Sequence, residues 1–126
     1  MRRYVETGGR EGHEWRGTTT LILTTRGRLS GEPRSTPLIY QTDGDAYLIV
    51  ASKGGSDTPP AWFRNIEAAP AVTVQVRDER FDARARIADA QEKPRMWAKM
   101  VSVWPAYDDY QQRTQREIPI VVLERV

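Results

Sequence analysis

The stretch AVTVQVRDERFDARARI, residues 71–87, alternates so regularly that it constrains the fold more than any other part of the chain. Val72, Val74 and Val76 fall on one side of an extended backbone. Phe81, Ala83, Ala85 and Ile87 resume the alternation after Asp78-Glu79-Arg80, with Asp82, Arg84 and Arg86 on the other side. Strand side chains point alternately to opposite faces, so this period buries one face and wets the other. Two such runs joined by a short polar turn predict an antiparallel hairpin.

The remaining segments extend that reading. TTLILTTR (19–26), RSTPLIYQT (34–42) and DAYLIVAS (45–52) read as strands, the last two joined by the hairpin signal Asp43-Gly44. Pro37 argues for an edge or a bulge, because proline has no N–H to give to a ladder. IPIVVLE (118–124) is nearly all apolar, as in a strand covered on both faces. Two segments change period. PAWFRNIEA (60–68) reads as a short helix with proline in its first turn. Residues 89–103 place Met96, Met100 and Val103 at i, i+4 and i+7, an amphipathic helix that Pro105 ends, and 106–115 adds a turn or two. The expected fold is α+β, mainly β: about six mostly antiparallel strands closed into a small barrel, with two to three packed helices. Residues 1–17, polar and glycine-rich, are expected to be a loosely held lead-in to a single domain spanning 18–126.

Composition removes several kinds of chemistry. The chain has 126 residues, a net charge of +2, no cysteine and one histidine, His13. Thiolate zinc sites, a cysteine nucleophile, His-rich metal sites and most His-based triads are excluded, so no metal is expected. The small net charge gives no general grip on nucleic acid, and anion recognition must come from local clusters. No run approaches the ~18 apolar residues of a membrane span, and the first residues lack the apolar core of a signal peptide. The expectation is a cytoplasmic protein. His13, in the polar lead-in, is expected at the surface.

Two basic, glycine-bearing loops stand out. TTRGRLSGEPRSTPL (24–38) sets Arg26, Arg28 and Arg34 around Gly27 and Gly31. Glycines let a turn fold tightly and bare its N–H groups to an anion, and arginine adds a planar fork suited to phosphate or carboxylate. On those residues alone, a solvated hairpin turn is the simpler reading. ASKGG (51–55) ends an apolar strand with a hydroxyl, a lysine and two glycines, but it lacks the spacing of a P-loop. Taken together, two such loops point to a polyanionic ligand. The chain also carries Trp62, Trp97, Trp104, Tyr107 and Tyr110. Tyr107 and Tyr110 share a helix face, and indoles and phenols suit a flat, partly polar ligand. Trp97 reads as a packing residue, and Tyr107 stands between core and rim. No pair of acids suggests glycoside hydrolysis or a two-metal site.

With these motifs in order, LILTTRGRLSGEPRSTPLIY, YLIVASKGG, PAWFRNIEAAPAVTVQV and WPAYDDYQQRTQREIPIVVLE, the chain resembles the deazaflavin-dependent nitroreductase family over residues 13–124. The resemblance implies a split β-barrel binding coenzyme F420 (8-hydroxy-5-deazaflavin) and an oxidoreductase that passes a hydride to quinones, nitro compounds or other conjugated acceptors. It implies that Arg28, Ser30, Gly31 and Arg34 grip the anionic arm of the cofactor. Thr36, Pro37, Leu38, Ala51, Ser52, Lys53, Gly54 and Trp62 would complete the cofactor site. Trp104, Tyr107 and Tyr110 would close the acceptor pocket, with Tyr107 donating a hydrogen bond to the acceptor oxygen as the catalytic group. Arg26 is left outside the grip. Leu29 stands where many relatives carry lysine, and Trp104 where better-known members place tyrosine, a change that argues against nitro-prodrug activation.

Other occupants of such a barrel remain. An FMN-binding split barrel would need less positive charge than Arg28, Arg34 and Lys53 supply. A quinone- or lipid-binding protein would use the aromatic wall but leave both basic loops idle. A nucleic-acid barrel would stack bases on the tryptophans. The implied partners are the deazaflavin and a small electron acceptor, with no nucleic acid. Contact with the inner face of a membrane would be transient, while quinone is reduced, and the protein would be a monomer or a homodimer.

Overall fold

Residues 72–85 fold as the alternation requires, whereas Ile87, expected on the covered face, is 49% exposed at the end of its strand. Val72, Val74, Phe81, Ala83 and Ala85 are buried, Arg84 and Arg86 are exposed, and Val74 lies opposite Phe81 across the hairpin. The computed structural model describes residues 1–126. In chain order it contains helix α1 (Arg2–Thr7), strands β1 (Glu14–Trp15), β2 (Thr18–Arg26), β3 (Pro33–Ile39), β4 (Gln41–Asp43) and β5 (Ala46–Val50), and a 3-10 turn at Lys53–Gly55. Helix α2 (Ala61–Ala68), strands β6 (Ala71–Val76) and β7 (Glu79–Ile87), helices α3 (Lys93–Val103) and α4 (Ala106–Gln112), and strand β8 (Ile120–Arg125) follow.

Every strand pairing is antiparallel, in the order β1-β2-β6-β7-β8-β5-β4 with β3 also on β2. The expected strand over 34–42 is two strands. Residues 33–39 pair with β2 and residues 41–43 pair with β5. The change of partner falls at Tyr40, whose N–H donates to the Thr19 carbonyl (3.2 Å). One bent segment thus joins the two ends of the sheet and closes it on itself. Pro37 sits opposite Ile22 in β3, whose only sheet partner is β2, the edge position that tolerates a missing N–H.

The interior of the curled sheet is filled from both sides of the ring. Leu21 and Leu23 meet Ile49, Val74, Val121 and Leu123, with Trp62, Phe63 and Ile66 of α2 in the same cluster. A second layer lies between the sheet and the last two helices: Leu48, Val50, Ile120 and Val122 pack with Met96, Met100 and Tyr107. Strands β5 and β8 are therefore covered on both faces, as the apolar run 118–124 requires. Each fully buried Leu, Ile or Val here stabilises the fold by about 1.5–3 kcal/mol. No helix is long and apolar enough to cross a membrane.

Four helices form rather than two or three. The additional one is α1, in the segment expected to be loose. Tyr4 is 2% exposed, and its hydroxyl donates to the Thr20 carbonyl (2.9 Å) while accepting the Arg77 N–H (2.7 Å). His13, expected at the surface, is 4% exposed. Its Nε2 lies 2.9 Å from the Tyr40 hydroxyl, and its ring sits between those of Tyr4 and Tyr40. A histidine with two aromatic neighbours and a phenol partner can be buried neutral, which its polar sequence context does not reveal. Residues 89–92 form a turn, and α3 begins only at Lys93. There the Asp89 carboxylate accepts the Glu92 N–H (2.9 Å) and the Glu92 carboxylate accepts the Asp89 N–H (2.8 Å), a reciprocal capping arrangement.

Candidate functional site

The arginine turn is held from within and from below. The Gly27 N–H donates to the Glu32 carbonyl and the Gly31 N–H to the Gly27 carbonyl, both at 2.8 Å. A Cβ on Gly27 would lie 2.9 Å from the Ser30 hydroxyl oxygen and 3.1 Å from the Glu32 carbonyl oxygen, so the tight turn favours glycine here. Below the turn, Asn65 of α2 accepts on Oδ1 from the Arg28 N–H (3.2 Å) and from Arg28 Nη1 (3.3 Å). Its Nδ2 donates to the Thr25 hydroxyl (3.1 Å). Asn65 is 4% exposed and uses both ends of its amide.

This scaffold frames a cleft of about 340 Å³ lined by Arg28, Ser30, Arg34, Thr36, Trp62 and Asn65 among others. Neither Arg28 nor Arg34 forms an ion pair with a carboxylate of the chain. The Ser30 oxygen accepts the Glu32 N–H (3.1 Å), which leaves its O–H free to donate. The donor set fits an anion. Gly31 lies in an adjoining groove with Arg26 and Pro33 rather than in this cleft.

A second cleft, of about 550 Å³, opens on the other part of β3. Pro37 and Leu38 form one side, Ser52 and Gly54 another, and Trp104, Tyr107 and Tyr110 a third. Residues that were far apart in sequence meet here. Met1, Gly12, Trp15, Thr20, Ile39 and Val50 join them, unforeseen in the sequence. Trp15 stacks on Trp104 with ring centroids 5.4 Å apart, and a tryptophan inside a polar segment was the available signal for it. Ala51 is fully buried in the barrel core, and Lys53 is exposed; neither lines either cleft. Lys53 does adopt φ +46°, a left-handed conformation costly for a side chain.

The loop 51–56 is fixed by two contacts without a sequence signal. Arg116 donates through Nε to the Ser56 carbonyl (2.7 Å) and through Nη2 to those of Ser52 (2.8 Å) and Ala51 (3.2 Å). Burial lowers its pKa. Gly55 passes so close to α4 that a Cβ would lie 2.7 Å from the Tyr110 carbonyl oxygen. The loop and the aromatic helix are thus docked backbone to backbone, which sets the width of the second cleft.

Tyr107 is 5% exposed and packs beside Trp97 and Tyr110. Burial, reinforced by Tyr110, pushes its pKa well above the usual tyrosine value. Its hydroxyl makes no hydrogen bond within the chain, whereas Tyr110 receives the Trp104 indole N–H at 3.4 Å. A protonated, unpartnered phenol on an apolar cleft can donate to a ligand oxygen.

Comparison with known proteins gives a consistent picture. The family described as F420H(2)-dependent quinone reductase matches residues 1–125. An F420H(2)-dependent quinone reductase of Mycobacterium tuberculosis is 43% identical over 127 residues, covering 97% of this chain and 85% of that protein. A solved structure of an F420-H2 dependent reductase, FDR-A, is 37% identical with a TM-score of 0.77, covering 83% of this chain and 93% of its own. Another, described as a domain-swapped dimer, is 35% identical with a TM-score of 0.80 and coverages of 94% and 87%.

Proposed function

The chain belongs to the F420H(2)-dependent quinone reductase family, and from that premise we propose that its two clefts hold the two ends of one coenzyme F420 molecule, with a quinone stacked above the flat end. The observation that carries this reading is the shared wall. Strand β3 lends Arg34 and Thr36 to the charged cleft and Pro37 and Leu38 to the apolar one. A ligand with an anionic arm and a flat aromatic head can lie along that strand with each part in matching chemistry.

The coenzyme, when bound and reduced, supplies the hydride. The protein binds, orients and excludes water. Arg28 and Arg34 hold the anionic arm through charge-assisted hydrogen bonds. Ser52 and Gly54, which line the same apolar cleft as Pro37 and Leu38, would hold the flat head there. Trp104 and Trp15 give stacking area to the acceptor and keep bulk water out. Tyr107 donates its O–H to the acceptor oxygen, stabilising the negative charge that arrives there. With its pKa raised, it stays protonated and acts as a hydrogen-bond donor, so the proton that completes the hydroquinone comes from water.

Quinones are the acceptors the family description names, and Trp104, where the resemblance places tyrosine in better-known members, argues against nitro-prodrug activation. Reaction with a lipid-borne quinone would bring the protein to a membrane only transiently. The similarity to a domain-swapped dimer supports a homodimer.

Titration of the purified protein with F420 and with FMN, followed by absorbance, tests the cofactor. Oxidation of reduced F420 by a soluble 1,4-benzoquinone tests the reaction. Saturable F420 binding with quinone-dependent turnover is expected. Binding of FMN alone, or F420 binding without turnover by any quinone, overturns the proposal.

A further inference from the structure

We infer that residues 1–15 can be exchanged between two copies of this chain about a hinge at Arg16-Gly17, so that each acceptor cleft in the exchanged dimer is completed by Trp15, Gly12 and Met1 of the other copy. The inference deepens the dimer reading above and rests on the assignment of the apolar cleft to the acceptor.

Three observations carry it. First, the covalent link between the segment and the barrel is a two-residue turn, and both of its residues have positive φ: Arg16 at +49° and Gly17 at +78°. Such hairpin turns favour Asn-Gly or Gly-Gly, so arginine at the first position is strained. In an opened hinge Arg16 becomes ordinary extended backbone and the strain is released, while β1 and β2 run on as one strand. Tight hinges of this kind favour exchange of an element between identical chains.

Second, the segment is seated by shape rather than by connection. Tyr4 and His13 are buried against the barrel, and Gly9 passes so near that a Cβ would lie 2.4 Å from the Arg77 Cα. The Thr20 N–H donates to the His13 carbonyl at 2.7 Å. None of these contacts depends on which copy supplies the segment.

Third, the segment is part of the site. Without it the apolar cleft loses Trp15, the stacking partner of Trp104, along with Gly12 and Met1. In the exchanged dimer neither copy has a complete acceptor cleft of its own.

The chain has no cysteine, which makes the test direct. Glu14 and Thr19 are partners across the β1–β2 hairpin. Glu14→Cys combined with Thr19→Cys therefore places two thiols within bridging distance wherever that pairing forms. After oxidation, the species that elutes as a dimer should run as a covalent dimer on a non-reducing gel. A dimer whose bridges all lie within single chains overturns the exchange, as does a protein monomeric at every concentration tested. Arg16→Asn, which suits the closed turn, should lower the dimer-to-monomer ratio about fivefold. An unchanged ratio removes Arg16-Gly17 as the hinge. Neither readout involves turnover, so a failed exchange leaves the quinone-reductase assignment standing, and a failed quinone assay leaves the cross-link result intact.

Discussion

Asn65 holds Arg28 twice, accepting on a single oxygen from the arginine's backbone N–H at 3.2 Å and from its guanidinium at 3.3 Å. A buried residue of α2 thereby fixes both the path of the arginine turn and the direction of its first charge.

Asn65→Ala should damage stability and cofactor binding together. It strips partners from the Arg28 N–H and the buried Thr25 hydroxyl, and each unsatisfied buried polar group costs about 1–3 kcal/mol. Thermal denaturation should show a lower Tm, and the F420 titration a weaker Kd. An unchanged Kd would mean that the turn keeps its shape without Asn65.

Arg34→Ala should leave Tm nearly unchanged, because Arg34 has no partner within the chain. Loss of one charge-assisted contact should weaken F420 binding by about 1.5–3 kcal/mol, or roughly 10–100-fold. The salt dependence of binding should become shallower in the variant. Equal salt slopes for wild type and variant would place the anionic arm elsewhere.

Tyr107→Phe should lower kcat with quinones by roughly 10–100-fold, with F420 affinity retained. The wild-type rate should show no loss of activity near pH 10, the ordinary tyrosine value, because burial raises the Tyr107 pKa. The sign for stability follows from the same shift. The folded state keeps the proton that the unfolded state releases, so the Tyr107 contribution is intact below the ordinary value and is lost as pH rises above it. Denaturant titration on both sides of that value reads it.

His13 supplies the opposite sign. Burial first, and then Arg77, lower its pKa, with Glu14 opposing. Tyr4 and Tyr40 are the other titratable groups against the ring, and both have raised pKa values that keep them neutral. The unfolded segment takes up a proton near pH 6.5 while the seated one resists it. Its contribution is therefore present above that value and lost as pH falls below it. The fluorescence of Trp15 should change on acidification, and His13→Gln should abolish the transition. A transition that persists in the variant would assign it to another group.

The barrel was legible because its strands carry their burial in their period. The alternation over 71–87 and the apolar run over 118–124 encode which faces are covered, and the structure follows both except at Ile87, which the strand end leaves exposed. The partner change at Tyr40 was not legible, since nothing local to RSTPLIYQT says that its two ends pair with different strands. The seating of residues 1–15 is hidden in the sequence for a related reason. Tyr4 and His13 find their burial against Thr20, Tyr40 and Arg77, partners far along the chain, while their own neighbours are polar. At the site, residue types that bind anions or stack on rings were visible as types. Asn65 stands in the P-x-W-F-x-N part of the family resemblance, but the Arg28 and Thr25 groups it holds, like the carbonyls that Arg116 holds, are brought near only by folding.

The seam at Tyr40 has a consequence for the lifetime of the protein. Strand β3 is held at its β2 side, β4 at its β5 side, and the ring stays shut only while both hold. If the coenzyme lies along β3 as proposed, from the arginine turn to Ser52, it ties the β2–β3 side to the end of β5 and favours the shut form. At a concentration 100 times its Kd, such a ligand stabilises the shut form by about 2.7 kcal/mol, a roughly hundredfold drop in the open population. Proteases act on the open form, so a cell short of coenzyme would also lose the enzyme, and supply of the one would set the abundance of the other.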